Sequence, residues 1–399
     1  MRKSVLAEPK ETCFGCGACE QICPRMAIRM CADLEGFRFP RIDPDLCVEC
    51  DLCIRACPVL MKNRDSILNL PKQVYAARNK DPKMWMHSTS AAVFPIFAQA
   101  MLAQGGVVYG CAWTGDNLEA AHIRVDHERD LLRLSQSKYV QSSTGKTFQA
   151  VRHDLERKLP VLYSGTPCQI AGLRLFLRKE YARLLTIDLL CHGVPSPVMF
   201  SAYVAGLARR EHGPIADFKF RDKQISGFRA YVSYLCPNGN RRFRLAGLEP
   251  YLYGFYRELF NRESCYRCPF QQSNRAGDIT IADYWGLERH HPELADWNRY
   301  GASLCMINTP NGLCWTSKLE AAAELVESTI EYAASSNPAL RTPPESHHRP
   351  ALRGEIYREL QAHGFDWIAA RYLRPRFVWL HRLIPARLKN LLRLLRRNQ

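Results

Sequence analysis

Seventeen cysteines stand in this chain of 399 residues, and eight of them fall into two copies of one pattern. The first copy is Cys13-x2-Cys16-x2-Cys19-x3-Cys23-Pro24, and the second is Cys47-x2-Cys50-x2-Cys53-x3-Cys57-Pro58. Thiolates at this spacing are the ligands of paired iron–sulfur cubanes. Three closely spaced cysteines wrap one corner of a cubane. The fourth cannot bend back to the same one and crosses to its neighbour. Cys13, Cys16, Cys19 and Cys57 are thereby assigned to one [4Fe–4S] cluster, and Cys47, Cys50, Cys53 and Cys23 to a second. Structural zinc is the competing reading, but zinc knuckles bring two ligands each, not four per run. The prolines end each coordinating turn. Gly15 and Gly17 are expected to let the backbone approach the sulfides. Asp51 places a carboxylate beside the second cluster, which would lower its potential. Cys31 lies outside the pattern and reads as a packed thiol. The chemistry is one-electron transfer.

Four further cysteines suggest another centre. Cys168 follows an apolar run and the turn Ser164-Gly-Thr-Pro167, and Cys191 follows the apolar run Leu184 to Leu190. Both are expected at the C-terminal edge of a parallel sheet, where open α/β folds place ligands. Cys265-x2-Cys268 adds a pair. The four together suit a third [4Fe–4S] cluster; buried unmetallated thiols or zinc are the alternatives. His192 is a ligand, a proton donor or a structural residue beside Gly193.

The elements that must hold these groups fall into three regions. Residues 1–65 predict a two-cluster domain of α+β ferredoxin-like fold, a duplication in which the cysteine runs match. Residues 72–335 alternate apolar runs (106–110, 159–163, 184–190, 279–282 and 304–307) with helical patterns. That alternation predicts an α/β domain with a mostly parallel sheet. A Pro- and His-rich linker near 341–350 leads to a basic helical tail, 350–399.

At residues 72–310 the motifs resemble the family of coenzyme F-420 hydrogenase/dehydrogenase beta subunits. They are Ser137-Lys-Tyr-Val-Gln-Ser142, Tyr163-Ser-Gly-Thr-Pro-Cys-Gln-Ile-Ala-Gly-Leu173, Asp188-Leu-Leu-Cys-His-Gly-Val-Pro-Ser-Pro197, Phe220-Arg-Asp-Lys223, Cys265-x2-Cys268 and Gly277-Asp-Ile-Thr-Ile-Ala-Asp-Tyr-Trp-Gly286. Members fused to an N-terminal two-cluster ferredoxin are especially similar, and many of those occur with bacterial exopolysaccharide biosynthesis. The resemblance implies an iron–sulfur flavoprotein oxidoreductase that binds FAD and reduces a deazaflavin or another organic substrate. A flavin also suits the chemistry, since it converts single electrons into pairs. On this reading Ser88 and Ser90, in His87-Ser-Thr-Ser-Ala-Ala92, and Lys138 and Ser142 contact the flavin. The family commonly carries glycines where Ala91 and Ala92 stand, and another at Ala282. Lys223 and Arg275 are candidates for binding an acidic substrate or partner. His192, Lys223 and Asp283 are candidate proton donors.

The formal net charge is +16. Nine Lys or Arg and no Asp or Glu lie between Arg371 and Gln399. Written as a helix, Leu380, Ile384, Leu388, Leu391 and Leu395 share one face, with arginines opposite. The pattern fits an interfacial helix on an anionic membrane surface, or a helix packed on the body of the protein. No nucleic-acid motif accompanies the charge, so nucleic acid is not expected as a partner. The N-terminus has no apolar stretch of signal-peptide length, and many cysteines without secretion argue for metal rather than disulfides. A cytoplasmic location is expected, peripheral to the inner membrane face if the tail binds lipid. The partner is an electron donor, protein or reduced cofactor. The rival class is an electron-transfer subunit with no substrate of its own, serving a partner enzyme.

Overall fold

The computed structural model describes residues 10–61, 64–225, 227, 228, 231–341 and 348–374. In the N-terminal region a short helix, Ala18–Ile22, follows the first cysteines. Strands β1 (Ile28–Ala32) and β2 (Arg38–Ile42) form an antiparallel hairpin with Ile28 opposite Ile42. A second short helix, Leu52–Arg55, follows the second set. The duplication is visible in the backbone. Gly15 and Gly17 have φ of 66° and 77°, and their counterparts Glu49 and Asp51 have φ of 51° and 59°.

The central domain is built on β3 (Gln73–Asn79), β4 (Val107–Thr114), β5 (Glu119–Val125), β6 (Val161–Gly165) and β7 (Leu184–Leu189). Strands β8 (Ala216–Asp222), β9 (Tyr231–Leu235) and β10 (Arg241–Leu245) form a separate antiparallel sheet. Then β11 (Ile279–Asp283), β12 (Ser303–Ile307) and β13 (Ala323–Glu327) return to the first. Among the described residues the main sheet has eight strands in the order β13-β3-β12-β11-β7-β6-β4-β5. The five apolar runs each fall on a strand. The centre, β4-β6-β7-β11, is parallel as expected. The flanks are antiparallel, so the sheet is mixed. The apolar runs alone do not carry strand direction; β12 turns back from β11 through a connection with short helices rather than a full crossover.

Side chains alternate across the sheet as strand geometry requires. Val107, Tyr109, Val161 and Tyr163 point to one face, with Phe148, Ile170, Leu173 and Phe176 of the helices Thr147–Glu156 and Pro167–Leu177. Val108, Leu162, Leu185 and Ile187 point to the other, against Ile96 and Phe97 of the helix Val93–Ala103. Phe14, Cys16, Ala18 and Ala56 of the N-terminal region join the first of these cores. The cluster-binding region therefore packs on the sheet-covering helices.

The helices Leu352–His363 and Phe365–Tyr372 also pack on the body, in a core with Phe37, Tyr203 and Phe260. The described part of the expected tail is thus an integral layer. Arg353 is buried and paired with Glu35 at 2.5 Å and Glu263 at 2.7 Å, tying that layer to both other regions. The amphipathic pattern at Leu380–Leu395 lies outside the described residues. No helix among the described residues is long and apolar enough to cross a membrane.

Candidate functional site

Cys13, Cys16, Cys19 and Cys57 line one small pocket. Burial and then the neighbouring Cys57 hold the Cys16 thiol well above its ordinary pKa, with Cys168 and Cys13 adding to this. Burial, Cys16, Cys13, Cys57 and then Cys53 do the same to Cys19. For Cys53, burial leads and both Cys50 and Cys23 act on it. Cys57 thus lies with the first run and Cys23 with the second. Mutual repulsion of this kind is removed when thiolates share a metal centre. Cys47 and Cys50 are exposed, whereas Cys16 and Cys19 are buried. The second group opens to solvent and the first faces the central domain.

Gly15 and Gly17 have a role beyond approach to sulfide. A Cβ on Gly15 would lie 2.9 Å from both Arg262 Nη1 and Gln141 Nε2, and one on Gly17 would lie 2.6 Å from Thr144 Oγ1. Glycine here permits docking onto the central domain. The exposed second run carries Glu49 and Asp51 in the same conformation.

Cys168 sits in the first turn of the helix Pro167–Leu177, directly after β6. Pro167 and a capping box of Thr166 with Gln169 set that helix start. Cys191 follows β7, the adjacent parallel strand. Cys265 and Cys268 lie on a short turn, 263–267, and its end. All four line one cavity of about 800 Å³. Burial, Cys265 and Cys168 raise the Cys191 thiol; burial, Cys265, Cys168 and Cys191 raise that of Cys268. Burial, opposed by the Val194 backbone, with Cys168 adding to it, pushes Cys265 up to about 12. The structure brings the four together. Among the described residues no group of three or more His, Cys, Asp or Glu closes on a single metal ion.

The rest of the cavity wall carries the other candidates. Ser88, Ser90, Lys138, Ser142, His192 and Asp283 all line it. Ser90 Oγ donates to Ala302 O at 2.7 Å, and Lys138 Nζ to Ser135 O at 2.7 Å. Burial lowers Lys138 to about 8. Ser142 Oγ accepts from Gln169 Nε2 at 3.1 Å and lies 3.4 Å from His122 Nδ1. His192 stacks on Trp285 with ring centroids 4.8 Å apart. Arg221 grips Asp283 through two bonds of 2.8 and 3.1 Å.

Ala92 keeps a left-handed backbone, φ 61° and ψ 42°, at the start of the helix Val93–Ala103. The turn that glycine favours is therefore formed despite the methyl group. Four buried polar atoms on residues lining the cavity lack hydrogen-bond partners among the described residues: Gln136 Oε1, Arg221 Nε, Ser264 Oγ and Gln271 Oε1. A polar cofactor in such a cavity offers partners to groups of this kind. The wall fits a flavin in composition and size.

Two candidates have other work. Lys223 is not among the lining residues; its ammonium donates to Trp85 O and Ser90 O and holds the serine turn in place. Arg275 is buried against Asp188 at 3.2 Å and donates to Phe270 O, Gln272 O and Leu189 O. It anchors the Cys268 loop to the end of β7, and its buried, fully engaged head leaves no face for an acidic substrate. Arg221, Gln136 and Trp285 were not singled out from sequence. Arg221 sits in the Phe220–Lys223 motif, which was the signal available.

Comparison with known proteins matches two regions of the chain. Residues 12–61 match the 4Fe-4S dicluster domain family. Residues 159–332 match the family described as the C terminus of the coenzyme F420 hydrogenase/dehydrogenase beta subunit. The chain is an iron–sulfur protein that joins these two family regions. A ferredoxin, Fdx2, from Sorangium cellulosum is 44% identical over 55 residues, covering 12% of this chain and 50% of its own. A subunit of the F(420)H(2) dehydrogenase of Methanosarcina mazei is 24% identical over 195 residues, covering 45% of this chain and 53% of its own. The chain thus spans about half the length of the curated relatives it matches. A chain of the F420-reducing [NiFe] hydrogenase complex from Methanosarcina barkeri, solved with xenon, aligns with TM-score 0.47 and 14% identity, over 75% of this chain and 95% of that one.

Proposed function

We propose that the protein is an iron–sulfur flavoprotein oxidoreductase, passing electrons from a donor through [4Fe–4S] centres and FAD to an organic substrate. One observation carries this reading: the thiols of Cys168, Cys191, Cys265 and Cys268 share the wall of an 800 Å³ cavity with the serine turn, Lys138 and Ser142. Bound there, FAD would supply the conversion between single electrons and electron pairs. Lys138, Ser88 and the turn at Ala92 would hold its anionic part, and the four thiols a third cluster. A donor would approach on the side of the exposed Cys47 and Cys50, and the buried Cys16 lies toward Cys168.

The cavity reaches the surface at Tyr256, Arg257 and His348, so a substrate has access. Arg221 with Asp283, and His192 on Trp285, are the polar groups proposed to orient it and provide a proton. Deazaflavin or a metabolite of exopolysaccharide synthesis are the substrate classes the family resemblance suggests. A second reading, an electron-transfer subunit serving a partner enzyme, is favoured by the matched dehydrogenase relative being itself a subunit. The test is Cys168→Ser and Cys191→Ser in anaerobically purified protein. Each is expected to lose about four irons and keep about eight, with the flavin spectrum perturbed. Unchanged iron in both would refute the third centre; a full iron complement without flavin would leave the carrier reading.

A further inference from the structure

Among the described residues Arg262, Arg275 and Arg353 are the three largest fully buried side chains, and two of them are neutralised by carboxylates. Arg262 is 1% exposed and, among the described residues, forms no ion pair. Its Nε donates to Cys13 O at 2.6 Å, Nη1 to Gln141 Oε1 at 3.1 Å and Nη2 to Arg38 O at 3.0 Å. Its guanidinium lies over the Phe39 ring at 4.1 Å. These partners are neutral, and a buried cation without an anion costs several kcal/mol. An anionic group nearby would offset that cost.

The candidates for that charge lie on both sides. Cys13 is a ligand of the first dicluster group. Cys265 lies three residues on from Arg262 and donates its backbone N–H to Arg262 O at 2.9 Å. A cubane held by four thiolates is net anionic and gains a further negative charge on reduction. A fixed cation beside it stabilises the reduced form and raises its reduction potential.

We propose that Arg262 is the shared counter-ion of the first dicluster cluster and the Cys168/Cys191/Cys265/Cys268 centre, a positioning residue that raises the potential of both. The inference rests on the third-cluster reading above. It also explains why Gly15 is glycine: any side chain there would strike the guanidinium.

The test is redox titration followed by electron paramagnetic resonance on the full chain, comparing wild type with Arg262→Gln, Arg262→Met and Arg262→Lys. The neutral variants are expected to shift the third centre and the buried cluster to lower potential. The exposed cluster of Cys47, Cys50, Cys53 and Cys23 should stay in place. Lys keeps the charge and is expected to stay near wild type. If the neutral variants lose their clusters, the Lys variant decides: a wild-type potential supports the counter-ion, and a lowered one overturns it. Unshifted potentials in the neutral variants also overturn it. Wild-type protein with only about eight irons would instead sink the third-cluster reading itself.

Discussion

The two cysteine runs differ in the residues that flank their ligands, and the difference is physical. Gly15 and Gly17 abut Arg262, Gln141 and Thr144, while Glu49 and Asp51 face outward in the same left-handed conformation. That conformation costs a non-glycine residue about 1–2 kcal/mol. Asp51→Gly is therefore expected to raise the thermal unfolding midpoint, by about 1 kcal/mol of stability after the entropy of glycine is offset. Gly17→Ala should do the opposite, losing about 1–3 kcal/mol through overpacking. His122 gives a pH-dependent test. It is buried with Nε2 at 3.0 Å from Ser164 O, and burial lowers its pKa to about 4. The unfolded imidazole takes up a proton near 6.5, so the fold loses stability as pH falls from there toward 4. Between pH 7 and 5 that loss is about 2 kcal/mol. The His122→Gln variant is expected to show a correspondingly flatter dependence of unfolding midpoint on pH in this window.

At the level of elements, the helix Pro167–Leu177 carries two tasks. Its first turn presents Cys168, and its middle carries Gly172, where a Cβ would lie 3.0 Å from Cys16 Sγ and 3.5 Å from Ala18 Cβ. Gly172→Val is expected to push the helix Ala18–Ile22 away, costing about 1–3 kcal/mol and slowing electron exchange between the clusters proposed at the two thiol groups, read by stopped-flow reduction. How much of this was legible in the sequence follows from what each signal encodes. The strands at Val107, Val161, Leu184, Ile279 and Ser303 were readable because strands buried on both faces are continuous apolar runs. The placement of Cys168 and Cys191 at neighbouring strand ends followed from the same runs. The direction of β12 was not readable, since apolar content is the same for either direction. The work of Lys223 and Arg275 was not readable either. Their charges looked free for a ligand, and only the fold shows Lys223 bound to the carbonyls of Trp85 and Ser90, and Arg275 to Asp188.

Across the whole molecule, the thiols form a sequence from surface to cavity. Cys47 and Cys50 are open to solvent, Cys16 is buried against the central domain, and Cys168 and Cys191 reach the cavity wall. Arg353 with Glu35 and Glu263 binds the N-terminal region, the central domain and the helices 352–372 into one packed body. Spacing sorts the first eight cysteines into two groups, and Cys13, Cys16, Cys19 and Cys57 line one small pocket. The third was read in sequence from Cys168, Cys191 and the Cys265/Cys268 pair, and the fold brings these three separate stretches of chain to one cavity wall. The most direct measurement is the content of iron, acid-labile sulfide and flavin in protein purified without oxygen. The account predicts about twelve irons, as many sulfides and one FAD per chain. Protein that holds near-zero iron under those conditions would contradict it.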